Sequence, residues 1–194
     1  MRGEKMRITI EFSADKPLEL PIHYNSIVQG FLYRNLTDKD YRSFLHQTGY
    51  RIANKRFKLF TFSRLLGEFR IDQRRGKITF YAPVKLVISS AVEQFITDLA
   101  ETLIKAEFLF LGNQRIEIVG IQVHKEYTMA DRVQIKMLSP IVAYSTIMQN
   151  QKKYTEYYSP WKPEFQGIFL NNLLTKYEII YKLQVINCWV VNEQ

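Results

Sequence analysis

Proton transfer near neutral pH is the natural work of imidazole, and the 194-residue chain has three histidines, His23, His46 and His124. His23 precedes a helical pattern and His124 closes a strand pattern, so both read as structural or surface residues. His46 differs. It follows the apolar set Tyr41, Phe44 and Leu45 but lies about 140° around a helix from Tyr41, which frees it from the core face. The single cysteine, Cys188, cannot form an intrachain disulfide, and with three scattered histidines no zinc-ligand spacing exists. No glycine-rich phosphate loop, HExxH, GxSxG or DFG-like motif occurs, and the carboxylates do not cluster as a two-metal site requires. Neither a metal nor a cofactor is therefore expected. Nuclease chemistry on such a chain would run on proton transfer and cationic stabilisation, which requires RNA, because its 2′-OH is an internal nucleophile.

The charge distribution agrees with a polyanionic partner. The net charge is +8. Between Arg51 and Lys77, nine cations stand against Glu68 and Asp72, so this one stretch carries +7. Tyr50, Phe57, Phe60, Phe62 and Phe69 are interleaved with them, a pattern that supplies phosphate contacts and base-stacking surfaces together, or else a basic hairpin whose aromatics are core. Arg51, Lys55, Arg56 and Arg64 are the candidate RNA contacts. No apolar run approaches the roughly 18 residues of a membrane-spanning helix, and the start MRGEKMRITIEF lacks a secretory core, so a cytoplasmic protein with no membrane partner is expected.

The elements that must carry these residues follow from periodicity. Met6 to Phe12 alternates as a half-buried strand. Ile27, Val28, Phe31, Leu32 and Leu36 recur at helical spacing, and a short second helix follows, with Thr37 as its expected cap and Gly49 as its end. Phe57 to Ser63 and Lys77 to Val84 read as strands with a middle segment near Phe69 to Ile71. Ser90 to Glu93 fits a capping box ahead of the stripe Val92, Phe95, Ile96, Leu99 and Leu103. After the turn at Gly112-Asn113, Ile116 to Val123 closes the series as a strand. The order βαββαβ predicts an α+β, ferredoxin-like domain resembling RNA-recognition modules, over residues 1–125.

The remainder, residues 126–194, reads as a second unit of the same kind, apparently incomplete. Lys125 to Arg132 is a linker pattern, Val133 to Leu138 a strand and Ile141 to Ile147 its hairpin partner, with another extended piece from Lys152. Ser159-Pro160 reads as a helix start, with Phe165, Ile168, Phe169, Leu173, Tyr177 and Ile180 as its buried stripe. About a dozen residues remain after that helix, too few for a further ββαβ.

Several stretches, taken in order, carry a resemblance. Pro21 to Leu36 (PIHYNSIVQGFLYRNL), Phe44-Leu45-His46, Phe57 to Leu66 (FKLFTFSRLL), Met137 to Ile141 (MLSPI) and Tyr157 to Trp161 (YYSPW) resemble the CRISPR-associated repeat-RNA endoribonucleases, the Cas-six family of the RAMP superfamily. The resemblance runs from Met6 to about Tyr181. It implies two tandem ferredoxin-like domains, CRISPR repeat RNA as partner, and metal-independent cleavage leaving a 2′,3′-cyclic phosphate and a 5′-hydroxyl. It also implies a catalytic set: Tyr33 from the QGxxY-like segment, His46 from the FLH segment and Lys58 from the strand KLFTFS. His46 would act as base on the 2′-OH or acid on the 5′-oxygen, Lys58 would stabilise transition-state charge, and Tyr33 would orient the phosphate or share the acid–base role. The glycine-rich loop that family members carry near the C-terminus is not found, since only Gly167 follows Gly120. A non-catalytic repeat-RNA-binding module is the alternative, and a homodimer or CRISPR ribonucleoprotein subunits are the assemblies the family implies.

Overall fold

The computed structural model describes residues 6–125, 132, 134, 140–149 and 151–191. The chain divides into two compact units, Met1–Tyr127 and Thr128–Gln194. In the first, strands β1 (Met6–Ser13), β2 (Leu18–Pro21), β3 (Tyr50–Ile52), β4 (Lys55–Phe57), β5 (Phe60–Phe62), β6 (Leu66–Asp72), β7 (Lys77–Ser90), β8 (Leu109–Leu111) and β9 (Gln114–Lys125) are interspersed with helices α1 (Asn25–Arg34), α2 (Lys39–Ser43) and α3 (Glu93–Lys105). A single π-helical turn, Phe44–Thr48, continues α2.

The sheet is organised around the long strand β7. On one edge β1 pairs with its second half and β2 with its first, from Met6 opposite Ser90 to Pro21 opposite Lys77. On the other edge β5 and β6 follow the same sequence in line. β9 lies beyond β1, antiparallel, and β8 pairs with β9. Treating β1/β2 and β5/β6 as two interrupted strands gives the expected antiparallel βαββαβ sheet. Strand alternation sends Ile8, Ile10 and Phe12 to one face, where they meet Val28, Phe31 and Leu32 of α1 and Phe95, Ile96, Leu99 and Leu103 of α3. Burial of these fully enclosed side chains stabilises the unit by roughly 1.5–3 kcal/mol each.

Three details correct the local expectations. The cap of α2 is Asp38, whose carboxylate accepts from the amides of Asp40 and Tyr41; Thr37 is engaged elsewhere, its amide on Asp98 and its hydroxyl 2.6 Å from that of Thr102. Ser90 stays in the strand. Its hydroxyl accepts from the Val92 amide, so no capping box forms, and Val92 occupies the cap position of α3. Phe57 to Ser63 is not one strand: Phe57 ends β4, Phe60 begins β5, and Leu59 between them has a left-handed φ of 57°.

In the second unit, β10 (Ala143–Gln149) pairs antiparallel with β11 (Lys152–Tyr158), and helix α4 (Pro163–Val191) packs on β10. Apart from Gln134, the expected strand Val133 to Leu138 lies outside the described residues, as does most of the expected linker. The helix starts later than Ser159-Pro160 indicated, because the Ser159 carbonyl closes a turn with the Lys162 amide and Pro163 takes the first helical position. It also runs past Tyr181, and its inward face differs from the expected stripe: Phe165, Ile168, Phe169 and Ile180 are partly buried and Ile179 buried, while Leu173 and Tyr177 are exposed.

Candidate active site and RNA interface

Tyr33 comes from the last turn of α1, His46 from the middle of the π-helical turn, and Lys58 from the break between β4 and β5. These three positions meet. The Tyr33 and His46 rings pack edge to face with centroids 5.6 Å apart. Tyr33 also packs edge to face on Phe60, 5.8 Å away, and Phe60 is stacked on Phe95 of α3 at 4.5 Å. The phenol is thus held by an aromatic column rooted in the core. Lys58 Nζ donates to the carbonyl oxygens of Leu45 and, at 3.1 Å, of His46. These carbonyls end a helical segment, where the unsatisfied C=O groups favour a cation.

Each placement has a local cause. Within the π-helical turn, Leu45 is fully buried while its neighbour His46 is exposed, so the turn is anchored by one side chain and presents the next. Gly49 closes the turn by donating its amide to Phe44 O, at 2.6 Å. It has φ 64° and ψ −179°, a conformation essentially confined to glycine. A Cβ there would sit 2.7 Å from Phe57 O and 3.4 Å from Lys58 Cδ, so Gly49 allows the backbone before Lys58 to come close. The left-handed Leu59 then turns the chain into β5, and its carbonyl is fixed by the Ala91 amide and the Ser90 hydroxyl. Lys58 is thereby released from the strand ladder and points to the helix end.

The electrostatics of the two titratable neighbours move in opposite directions. Burial raises the pKa of Tyr33 above that of an ordinary phenol, against a smaller lowering by its hydrogen bond with Gln29, so Tyr33 is protonated at neutral pH. Burial, and then the positive charge of Arg56, lower the pKa of Lys58. The exposed His46 ring and Tyr33 line an open cleft of about 410 Å³ together with Ser26, Gly30, Arg34 and Asn113. Lys58 lines a neighbouring cleft of about 270 Å³ with Gln29, Phe60, Ser63 and Arg64.

The basic stretch separates into two parts. β3 and β4 form a hairpin in which Arg51 lies directly opposite Arg56, and Ile52 opposite Lys55; cross-strand partners share a face, so the two arginines point one way and Lys55 the other. All three cations are exposed, as is Arg64 on the Lys58 cleft. The hairpin is tied to α2 by Tyr50, which packs on Phe44 at 5.0 Å and shares a 3.3 Å contact with the Tyr41 hydroxyl. Arg70, Arg74, Arg75 and Lys77 instead belong to the β6–β7 hairpin, where Glu19 pairs with Arg75 and Lys77. The interleaved aromatics are mostly structural: Phe57 is buried, Tyr50, Phe60 and Phe62 are half-buried, and only Phe69, at 53% exposed, offers an open ring. Of the other histidines, His23 is exposed and His124 is bonded to the Thr9 hydroxyl at 2.9 Å. Sequence reasoning missed the exposed pair Phe108 and Phe110, whose signal was the short alternation FLFL after α3.

Among the described residues no group of three or more His, Cys, Asp or Glu side chains could hold a metal ion, and no helix is long and apolar enough to cross a membrane. The fold is of the α+β, ferredoxin-like class: the chain superposes with TM-scores of 0.65 on a solved CRISPR associated protein Cas6 (22% identical) and 0.69 on a Cas6-related protein from Pyrococcus furiosus (20% identical), in each case over 92% of this chain and 72% of the other. A RAMP protein described as binding different RNA substrates matches at 0.61, with 23% identity, over 84% of this chain and 66% of that one. In sequence, residues 122–193 match the family model described as CRISPR associated protein Cas6, C-terminal. The CRISPR-associated endoribonuclease Cas6 1 of Methanocaldococcus jannaschii is 26% identical over 185 residues, covering 92% of this chain and 68% of its own length. The chain is thus similar to Cas6 proteins, in sequence over residues 122–193 and in fold over most of its length.

Proposed function

We propose that the chain is an endoribonuclease that cuts CRISPR repeat RNA without a metal ion, by attack of a 2′-OH on the adjacent phosphate. The observation that carries this reading is that Tyr33 and His46 share one open cleft while Lys58, on the neighbouring cleft, is bonded to the His46 carbonyl, all three beside a basic hairpin. His46 takes the proton of the 2′-OH. The 2′-oxygen forms its bond to phosphorus as the bond to the 5′-oxygen breaks, leaving a 2′,3′-cyclic phosphate and a 5′-hydroxyl whose proton comes from water in the open cleft. The Lys58 ammonium stabilises the charge that gathers on the phosphoryl oxygens, and the Tyr33 phenol, held protonated by burial, donates a hydrogen bond to one of them. Arg51, Lys55, Arg56 and Arg64 hold the RNA backbone. The test is incubation with a repeat RNA in excess chelator, followed by analysis of the new 3′ end. A cyclic phosphate formed in EDTA is expected. Binding of the repeat with no cutting would mean the non-catalytic module, and cutting only with Mg²⁺ would mean a metal-assisted reaction.

A further inference from the structure

Phe108 and Phe110 flank the buried Leu109 at the start of β8. Alternation along the strand sends Leu109 and Leu111 into the core and leaves Phe108 and Phe110 at 50% and 47% exposure. Single exposed apolar residues are ordinary, but these two rings pack edge to face with centroids 5.9 Å apart, and the Arg115 guanidinium lies 5.1 Å above the Phe108 ring. Arg34, at the end of α1, donates to the Phe110 carbonyl at 3.4 Å. Arg34, Phe108 and Phe110, together with Asn35 and Asn113, line an open cleft of about 520 Å³, within the size range of small-ligand sites. The cleft adjoins the one lined by His46 and Tyr33, since Arg34, Gly112 and Asn113 line both.

Aromatic faces beside guanidinium groups are the combination that binds single-stranded nucleic acid: bases stack on the rings while cations meet the phosphates. Arg115 is ion-paired with Glu117 at 3.1 Å, but the pair is exposed and a guanidinium has donors to spare. We propose that Phe108 and Phe110, with Arg34 and Arg115, form a stacking subsite for an unpaired nucleotide of the repeat RNA close to the scissile phosphate. The inference rests on the endoribonuclease reading, and it adds a specificity element: the RNA must offer an unstacked base at that position. A β8 edge that instead pairs with another protein chain is the competing use of the same residues.

The test is equilibrium binding of the full chain to a repeat RNA from the source organism's arrays, kept intact by a 2′-deoxy nucleotide at the cut site. A parallel set of RNAs carries a single abasic site at each position flanking the cut. F108A/F110A is expected to bind at least about tenfold more weakly with the salt slope of the parent, because a phenyl ring carries no charge. F108Y/F110Y, which keeps both rings, is expected to bind like the parent. At one flanking position, removing the base should cost the parent about tenfold and cost F108A/F110A nothing further, the non-additivity of two partners in one contact. Equal affinity of parent and F108A/F110A, or fully additive losses at every position, overturns the subsite and turns attention to protein pairing at β8. A parent that in that case binds this RNA and cuts the unmodified repeat leaves the endoribonuclease reading standing. A parent that binds the repeat no better than a scrambled RNA removes that reading and the subsite together.

Discussion

Lys58 donates to the backbone carbonyl of His46 at 3.1 Å, so the candidate cation and the candidate base are coupled through the main chain rather than through their reactive groups. The imidazole stays free to face the cleft while the ammonium is held at the end of its helical turn. A substrate phosphate reaching this point would compete with two carbonyl oxygens for one ammonium. Lys58 is therefore already positioned at the end of the helical turn, and under the proposed mechanism the two residues should fail in different ways when removed.

His46→Ala should separate chemistry from binding. General acid–base catalysis typically contributes on the order of 10²–10⁴ in rate, whereas one exposed imidazole adds little to a surface governed by phosphate contacts. Single-turnover cleavage should fall by at least about 10² while affinity changes less than about threefold. Parent-like cleavage by this variant would remove His46 from the mechanism.

Lys58 should set an alkaline limit. Burial and Arg56 lower its pKa, so the folded protein loses this charge at a lower pH than an ordinary lysine would. The sign for stability follows: the cost of holding this partly desolvated charge beside Arg56 is present below the lowered pKa and is relieved as pH rises through it. Cleavage at subsaturating RNA, which reports the free protein, should decline on the alkaline side below the ordinary lysine range, and Lys58→Arg, whose guanidinium remains charged, should lose that limb. A limb that persists unchanged in Lys58→Arg belongs to another group. Lys58→Ala should weaken both binding and cleavage.

Much of this arrangement was legible in the residues because periodicity reports burial. The alternation of Ile8, Ile10 and Phe12 and the helical stripe from Phe95 to Leu103 are core in the structure, and His46 does point away from the core that holds Leu45. What could not be read depends on competition among equivalent groups or on backbone conformation. Thr37 and Asp38 are both able to cap, and only Asp98 and Thr102, some sixty residues away, decide that Thr37 is occupied. Nothing in FKLFTFS announces that Leu59 adopts a left-handed conformation, yet that single residue converts one expected strand into two and frees Lys58. The aromatics of the basic stretch drew attention as stacking surfaces, but Phe57 and Phe60 are tied inward by the strand break and by Phe95.

Gly49→Ala should destabilise the site and the fold together. The backbone conformation is one that a side chain rarely adopts, and the added methyl carbon would lie 2.7 Å from a backbone oxygen that cannot swing aside. A loss of about 1–3 kcal/mol in denaturant unfolding is expected. Gly76→Ala is the control: it also has a positive φ, 63°, but nothing lies within 4 Å of the added carbon, so only the conformational part of the cost should appear. Equal losses at both positions would show that close approach to Phe57 and Lys58 contributes nothing.

The basic hairpin should account for part of the salt dependence. Each phosphate contact to a single strand contributes about −0.7 to the slope of log affinity against log salt. Lys55→Ala with Arg56→Ala should therefore weaken repeat binding and flatten the slope by up to about 1.4 if both cations touch phosphates. Arg51 and Arg56 share a face and Lys55 points away, so comparing the pair Arg51 and Arg56 with Lys55 alone shows which face meets the RNA. An unchanged slope in a filter-binding titration for all of these would take the hairpin out of the interface.

The nature of the nucleophile gives the last prediction. The proposed reaction uses the 2′-OH beside the scissile phosphate, and His46 and Lys58 need only move one proton and stabilise charge that appears on the phosphoryl oxygens. A repeat RNA with one 2′-deoxy nucleotide at the cut site retains every phosphate and every base, so it should bind within about threefold of the unmodified RNA. It should nevertheless resist cleavage, since no hydroxyl remains for deprotonation, and moving the deoxy nucleotide one position to either side should restore cutting. Excess chelator should leave cleavage of the unmodified RNA intact. Cutting of the deoxy substrate would mean that water, not the RNA itself, attacks the phosphate; His46 would then have to activate solvent, and the end group should change from a cyclic phosphate to a simple phosphate or hydroxyl.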